Sequence, residues 1–202
     1  MTDADRTPEE LARDAQRGST EAFSRLVERF QDPVFNLLSL RMQNRADAEE
    51  LAQEAFLRAW QRIGQYDDRW RFSTWLYAIA RNLQISHRRA AQSRPSPAIS
   101  LADVGERGRE PSRDLTDTEV RGSLWTAAAR VLSDEQRDAM WLRYAEEMSP
   151  LEIAHVLGRR PSTVRVLLFR ARARLAESFD ATAAESDAPT QNVHVQIAGD
   201  PR

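Results

Sequence analysis

The stretch MSPLEIAHVLGRRPSTVRVLLFRARARL, residues 148–175, decides the fold, because it spells out two helices and the turn between them. Ser149 is a helix N-cap, Pro150 suits the first helical position, and Glu152 completes a capping box three residues after the cap. Gly158 supplies the left-handed stop. A tight turn follows, then Pro161 and a second helix from Ser162. Short helix, glycine turn and basic helix form the helix-turn-helix pattern, whose second helix enters the major groove of DNA. A plain three-helix packing unit carries the same caps, so charge has to discriminate. From Ile153 to Ala176 there are six arginines (Arg159, Arg160, Arg165, Arg170, Arg172 and Arg174) and no acid. That asymmetry points to a polyanion.

Working outward, LSDEQ (132–136) places Ser133 at an N-cap with Gln136 three residues on, a second capping box. Helical periodicity spans 115–179. Nearer the N-terminus, Leu11–Arg17 and Glu21–Leu40 show helical spacing, with Phe23, Leu26, Val27 and Phe30 on one stripe. Asp47–Ile63 repeats it through Ala48, Leu51, Ala52, Ala55, Phe56 and Ala59. Gly64–Trp70 reads as a loop, and a long helix follows over Ser73–Arg89. Glycine is scarce, 7 in 202 residues, and alternating β-branched runs are nearly missing. The expected fold is all-α: two small helical domains, 10–90 and 122–179. Residues 91–121, rich in proline, glycine and serine, read as a flexible linker, and 180–202 as a disordered tail, VHVQI (193–197) being too short a strand to stand alone.

Composition narrows the function classes. With no cysteine, a disulfide framework and a cysteine-ligated zinc are both excluded. The acidic, polar opening MTDADRTPEE lacks the pattern of a signal peptide, and the longest apolar runs fall far short of a membrane span. A soluble, cytoplasmic protein without membrane insertion is expected. Net charge is −2, yet all 29 basic residues are arginine, which favours planar contacts to phosphate and guanine. Between Asp47 and Glu54 the balance reverses to four acids and no base. One face seeks a polyanion and another a basic partner.

Two segments stay open on residues alone. RWRFSTWLYAIARN (69–82) holds four aromatics and three arginines: a core segment, or a surface where unstacked bases lie against aromatic rings. Trp75, Ile79 and Leu83 share a stripe and favour the core; Phe72 and Tyr77 lie off it and stay candidates for stacking. On the acidic helix, Glu50, Gln53 and Glu54 share a face opposite the apolar stripe. This is either a docking patch or a solvated face with Glu54 paired to Arg58. No metal triad, di-iron spacing or nucleophile–base pair is apparent, so no enzyme, metal or cofactor is expected, and His87 and His155 read as surface or packing residues.

Several segments in register resemble one family, the bacterial RNA polymerase sigma factors of the extracytoplasmic-function (ECF) class. GSTEAFSRLVERFQDPVF, DAEELAQEAFLRAW and RFSTWLYAIARNLQISHRR are similar to its region 2, and LSDEQRDAMWLRYAEEMSPLEIAHVLGRRPSTVRVLLFRARARL to its region 4. The resemblance implies that Asp47, Glu50, Gln53 and Glu54 dock on the β′ clamp helices of core RNA polymerase. It implies that Arg71, Phe72, Ser73, Tyr77, Arg81, Asn82, Arg88 and Arg89 open and read the −10 promoter element. It further implies that Arg159, Arg160, Ser162, Thr163, Arg165, Phe169 and Arg170 meet the −35 element, and that an anti-sigma factor controls a stress- or signal-responsive regulon. Two departures stand out. Ser86 replaces a common acid, and Val166 and Leu167 replace a serine and an arginine of the recognition helix. The rival expectation is an autonomous helix-turn-helix regulator that binds operators without polymerase.

Overall fold

The computed structural model describes residues 6–42, 44–93, 125 and 128–186. Among these the order is α1 (Pro8–Gln16), α2 (Thr20–Ser39), α3 (Arg45–Gln61), a 3-10 turn (Ile63–Gln65), α4 (Phe72–Ser93), α5 (Asp134–Tyr144), α6 (Pro150–Leu157) and α7 (Pro161–Ser186). Residues 128–131 add a short helical segment before α5. The described part of the fold is all helical.

Local chemistry sets the boundaries. Thr7 with Glu10, Ser133 with Gln136, and Ser149 with Glu152 each form a complete capping box, while Ser19 and Asn44 cap α2 and α3. Gly158 ends α6 in the left-handed region, φ 61° and ψ 38°, where a side chain would clash with its own backbone. The start of α4 is capped from a distance: the Phe72 amide donates to Glu9 Oε1 of α1 at 3.0 Å. Both long helices outrun the periodicity, α4 reaching Ser93 and α7 reaching Ser186. Most of the expected linker and of the expected tail lies outside the described residues.

The N-terminal block wraps α1, α2 and α3 around α4. The apolar stripe of α3 is buried, with Phe23 of α2 against Trp60 at 5.0 Å. Phe72 is fully buried, its ring 5.5 Å from Phe30, 5.6 Å from Tyr66 and 5.8 Å from Trp75. The C-terminal block packs α5, α6 and α7 together over Leu142, Ile153, Val164 and Leu168. The blocks also meet, because α6 packs on α4. So the N-terminal part of α4 is covered on most sides, while residues 86–90 stay exposed.

Candidate nucleic-acid interface

Three surfaces carry the expected site residues, and they differ in accessibility. On α3, Glu50 and Gln53 are exposed while Asp47 and Glu54 are half-buried. Glu54 Oε1 accepts from Arg58 Nε at 2.7 Å, so part of the acidity is already paired in the free chain. Sequence reading missed Leu57, which is 53% exposed on the same face, seven residues after Glu50. Its position outside the apolar stripe was the signal: a large aliphatic side chain left in water beside charged neighbours suits the centre of a docking patch.

The recognition helix is open. Arg159, Arg160, Ser162, Thr163, Arg165, Phe169 and Arg170 are all exposed, with Phe169 at 66%. Val166 is exposed beside them, whereas Leu167 packs against the core. Arg159 Nε donates to Glu135 Oε1 at 2.7 Å. Arg174 is exposed but reaches back along the block: its guanidinium lies 3.5 Å from both the Val131 carbonyl and Gln136 Oε1 of α5. It is therefore a poor example of an arginine reserved for phosphate.

The face of α4 departs most from expectation. Arg71, Asn82, Arg88 and Arg89 are exposed, but Phe72, Ser73, Tyr77 and Arg81 are buried. Phe72 is a correction: it belongs to the core stripe Phe72–Leu76–Ala80–Leu83, so its ring is unavailable for base stacking. Trp75 and Ile79, expected to lead that stripe, pack at its margin instead. Tyr77 and Arg81 meet the other block. The Tyr77 hydroxyl donates to Glu146, and its ring lies edge-on to Trp141 at 5.6 Å. Arg81 sits 3.5 Å from Asp138 and 3.7 Å from Glu135. Asp138, 1% exposed, also takes a two-pronged contact from Arg41, with Nε to Oδ1 at 2.9 Å. Beside this network, Arg88 reaches Asp134 at 2.5 Å, and a cleft of about 860 Å³ opens between Arg41, Asp47, His87, Arg88 and Arg137. The Trp70 ring stacks on His155 at 4.3 Å, tilted 28°.

Burial shapes the protonation of these groups. It pushes the Tyr77 phenol far above its usual value, with Glu146 beside it adding to the effect. Burial likewise raises the Glu146 carboxyl, opposed by the Tyr77 hydrogen bond and Arg71. The same loss of water lowers Arg81 against the pull of Asp138. Burial also raises Asp138, with Arg41 and Arg81 opposing. Among the described residues, no group of His, Asp and Glu is arranged to hold a metal ion, and no helix is long and apolar enough to cross a membrane.

Among the described residues, an open helix-turn-helix and a second arginine-lined helix are the features of the DNA-binding class of helical proteins. Residues 26–94 match sigma-70 region 2, and residues 124–175 match sigma-70 region 4. The chain is 31% identical over 175 residues to the ECF RNA polymerase sigma-E factor of Haemophilus influenzae, covering 82% of this chain and 92% of that protein. It is 33% identical over 169 residues to the ECF RNA polymerase sigma factor BldN of Streptomyces coelicolor, covering 83% of this chain and 64% of the longer relative. In structure it resembles the sigma factor RpoE of Bartonella quintana, solved with the anti-sigma factor NepR. The TM-score is 0.60 at 25% identity, over 80% of this chain and 98% of that one. The chain belongs to the sigma-70 family, in its ECF class, and serves transcription initiation.

Proposed function

We propose that the chain binds core RNA polymerase through the exposed face of α3 and carries it to promoters, which α7 and α4 then read and open. Glu50, Gln53 and Glu54, with Asp47 at the start of the helix, present acid to the basic β′ clamp helices, and Leu57 gives the patch an apolar centre. Arg159, Arg160, Ser162, Thr163, Arg165, Phe169 and Arg170 meet the −35 element from the N-terminal turns of α7. Arg71, Asn82, Arg88 and Arg89 receive the −10 strand, joined by Ser73, Tyr77 and Arg81 once the covering block moves away. The two reading blocks correspond to residues 10–90 and 122–179. Phosphodiester chemistry is left to the polymerase; this chain is a specificity factor and no enzyme. An anti-sigma factor is its controlling partner and the cytoplasm its site of action.

The single observation that carries this reading is the conjunction of an acidic helix with an exposed apolar residue and an open basic recognition helix in one chain. An operator-binding regulator accounts for the second and leaves the first idle. What favours that alternative is the exposure of Arg159, Arg160, Ser162, Thr163, Arg165, Phe169 and Arg170 in the free chain. Co-elution with bacterial core polymerase tests the choice. A one-to-one complex is expected, and its absence, together with tight duplex binding by the chain alone, favours the regulator.

A further inference from the structure

The loop between α3 and α4 is held from outside by α1. Gln16 Nε2 donates to two loop carbonyls, Ile63 O at 3.0 Å and Tyr66 O at 2.9 Å, so one side-chain amide places both of its hydrogens on the loop. At the far end, Glu9 Oε1 accepts from the Phe72 amide where α4 begins. Between these ties Tyr66 is buried against Phe72 and Trp75, and its hydroxyl donates to the Trp70 carbonyl at 2.7 Å. The backbone is therefore fixed at Ile63, Tyr66, Trp70 and Phe72, while Asp68, Arg69 and Arg71 among them are exposed. Arg69 is also aimed: the Asp67 carboxylate accepts from its amide at 3.1 Å and from its Nε at 2.7 Å. We propose that α1 is a positioning element for strand reading: Gln16 and Glu9 hold the loop in the one shape that presents Arg69 and Arg71 to the unpaired −10 strand, and thereby set base preference where loop and strand meet. This rests on the sigma-factor reading and adds to it residues outside the stretch matched as region 2, which begins at residue 26.

The loop's own backbone bonds close short turns: Gln65 onto Arg62 at 2.8 Å, Tyr66 onto Ile63 at 3.1 Å and Trp70 onto Asp67 at 3.1 Å. Each links residues three apart, so none fixes one turn against the next; the Gln16 amide and the Tyr66 hydroxyl do that. The distinction matters for specificity. An arginine on a yielding loop adapts to whichever base arrives, whereas a held one penalises the wrong base. Gln16 suits this role better than that of holding the fold. It is an exposed residue at the C-terminal end of α1, and the buried side of that helix is supplied by Leu11, Ala12 and Ala15. Arg13 lies 3.7 Å from Asp68, both more than half exposed, and is a minor tie.

The test uses the full chain with bacterial core polymerase and duplex promoters randomised across the −10 element, the transcripts being read by sequencing. Gln16→Met keeps the length of the side chain and removes the donor; Gln16→Lys restores a donor of similar reach. Gln16→Met should flatten the base preference at one or two adjacent positions by about fivefold or more, the lower end of what a paired base contact discriminates. Gln16→Lys should recover it. Preference at the −35 element and affinity for core polymerase should stay as they are, and the thermal midpoint should hold within about 2 °C. Arg69→Ala should flatten the same positions, and adding Gln16→Met to it should flatten them little further, because the two act as one unit. Hydrogen exchange reads the brace without transcription: the amides of Tyr66, Trp70 and Phe72 should exchange faster in Gln16→Met. Preference kept intact in Gln16→Met overturns the positioning role. So does a loss spread over every position with a lowered midpoint, the mark of a merely structural residue. Either result, with wild-type initiation intact, leaves the sigma reading standing. A wild type that initiates nowhere rejects that reading and the positioning role with it, whatever hydrogen exchange shows.

Discussion

Phe72→Ala discriminates most sharply between a core ring and a melting ring. Phe72 has no exposed surface and packs against Phe30, Tyr66 and Trp75 within 6 Å. Deleting such a buried ring costs about 3–5 kcal/mol, transfer and cavity terms together. That is a large share of the roughly 5–15 kcal/mol that holds a domain folded. At about 2–4 °C per kcal/mol for a chain of this length, the thermal midpoint should fall by about 6–20 °C. The assay pairs thermal unfolding by circular dichroism with promoter opening on duplex templates and on templates already unpaired at the −10 element. Phe72→Ala should lower activity on both templates alike, in step with the folded fraction. Arg71→Ala, at an exposed position, should leave the midpoint within about 1–2 °C, since surface changes amount to about 0.5 kcal/mol. Its loss should be confined to the duplex. A Phe72→Ala chain with an unchanged midpoint that fails only on the duplex would refute the core assignment.

Glu50→Arg with Glu54→Arg should abolish binding to core polymerase with little change in melting, because Glu50 is exposed and a surface i,i+4 pair such as Glu54 with Arg58 contributes only about 0.3–0.5 kcal/mol; unchanged affinity would reject the docking face. Leu57→Ala should weaken the same binding by about 1–2 kcal/mol as an interface anchor, while leaving helicity intact. Arg165→Ala should relax base preference within the −35 element by about 1–3 kcal/mol if it grips guanine with both prongs. Arg160→Ala should instead weaken all sequences alike and lower the salt slope by about one unit, a pattern that footprinting across salt concentrations can separate. Tyr66 and Tyr77 are both pushed far above the ordinary phenol value by burial. The unfolded chain then loses protons that the folded chain keeps, so stability is full below about pH 10 and falls as pH rises past it. An ultraviolet titration should show both phenols ionising together with unfolding; ionisation in the native state contradicts their burial.

Elements whose signals are local were legible in the sequence. Ser133 with Gln136, Ser149 with Glu152, and Gly158 mark their helix ends by chemistry within a few residues, and the structure places caps at each. The stripe of α3 and the open arginines of α7 follow from periodicity and charge in the same way. The phase of α4 did not follow. Phe72, Ser73, Thr74, Leu76, Tyr77, Ala80, Arg81 and Leu83 are all buried and spread over more than half of the helix circumference, so a helix enclosed by α1, α2, α3 and α6 has no single apolar stripe to read. The join between the blocks was illegible for another reason. Arg41 and Asp138 are 97 positions apart, and nothing local to either announces the pairing. The buried state of Tyr77 and Arg81 depends on that join, which is why an exposed reading surface was expected there.

The central claim, that this chain lends promoter specificity to a polymerase, is tested most directly by transcription from genomic fragments with bacterial core polymerase, the purified chain, or both. Start sites and unpaired bases are mapped by sequencing. Only the two together should initiate, at a shared pair of upstream elements, with unpaired bases at the −10 element, and Glu50→Arg with Glu54→Arg should erase the signal. Sequence-specific duplex binding by the chain alone, with no initiation added to core polymerase, would contradict the account.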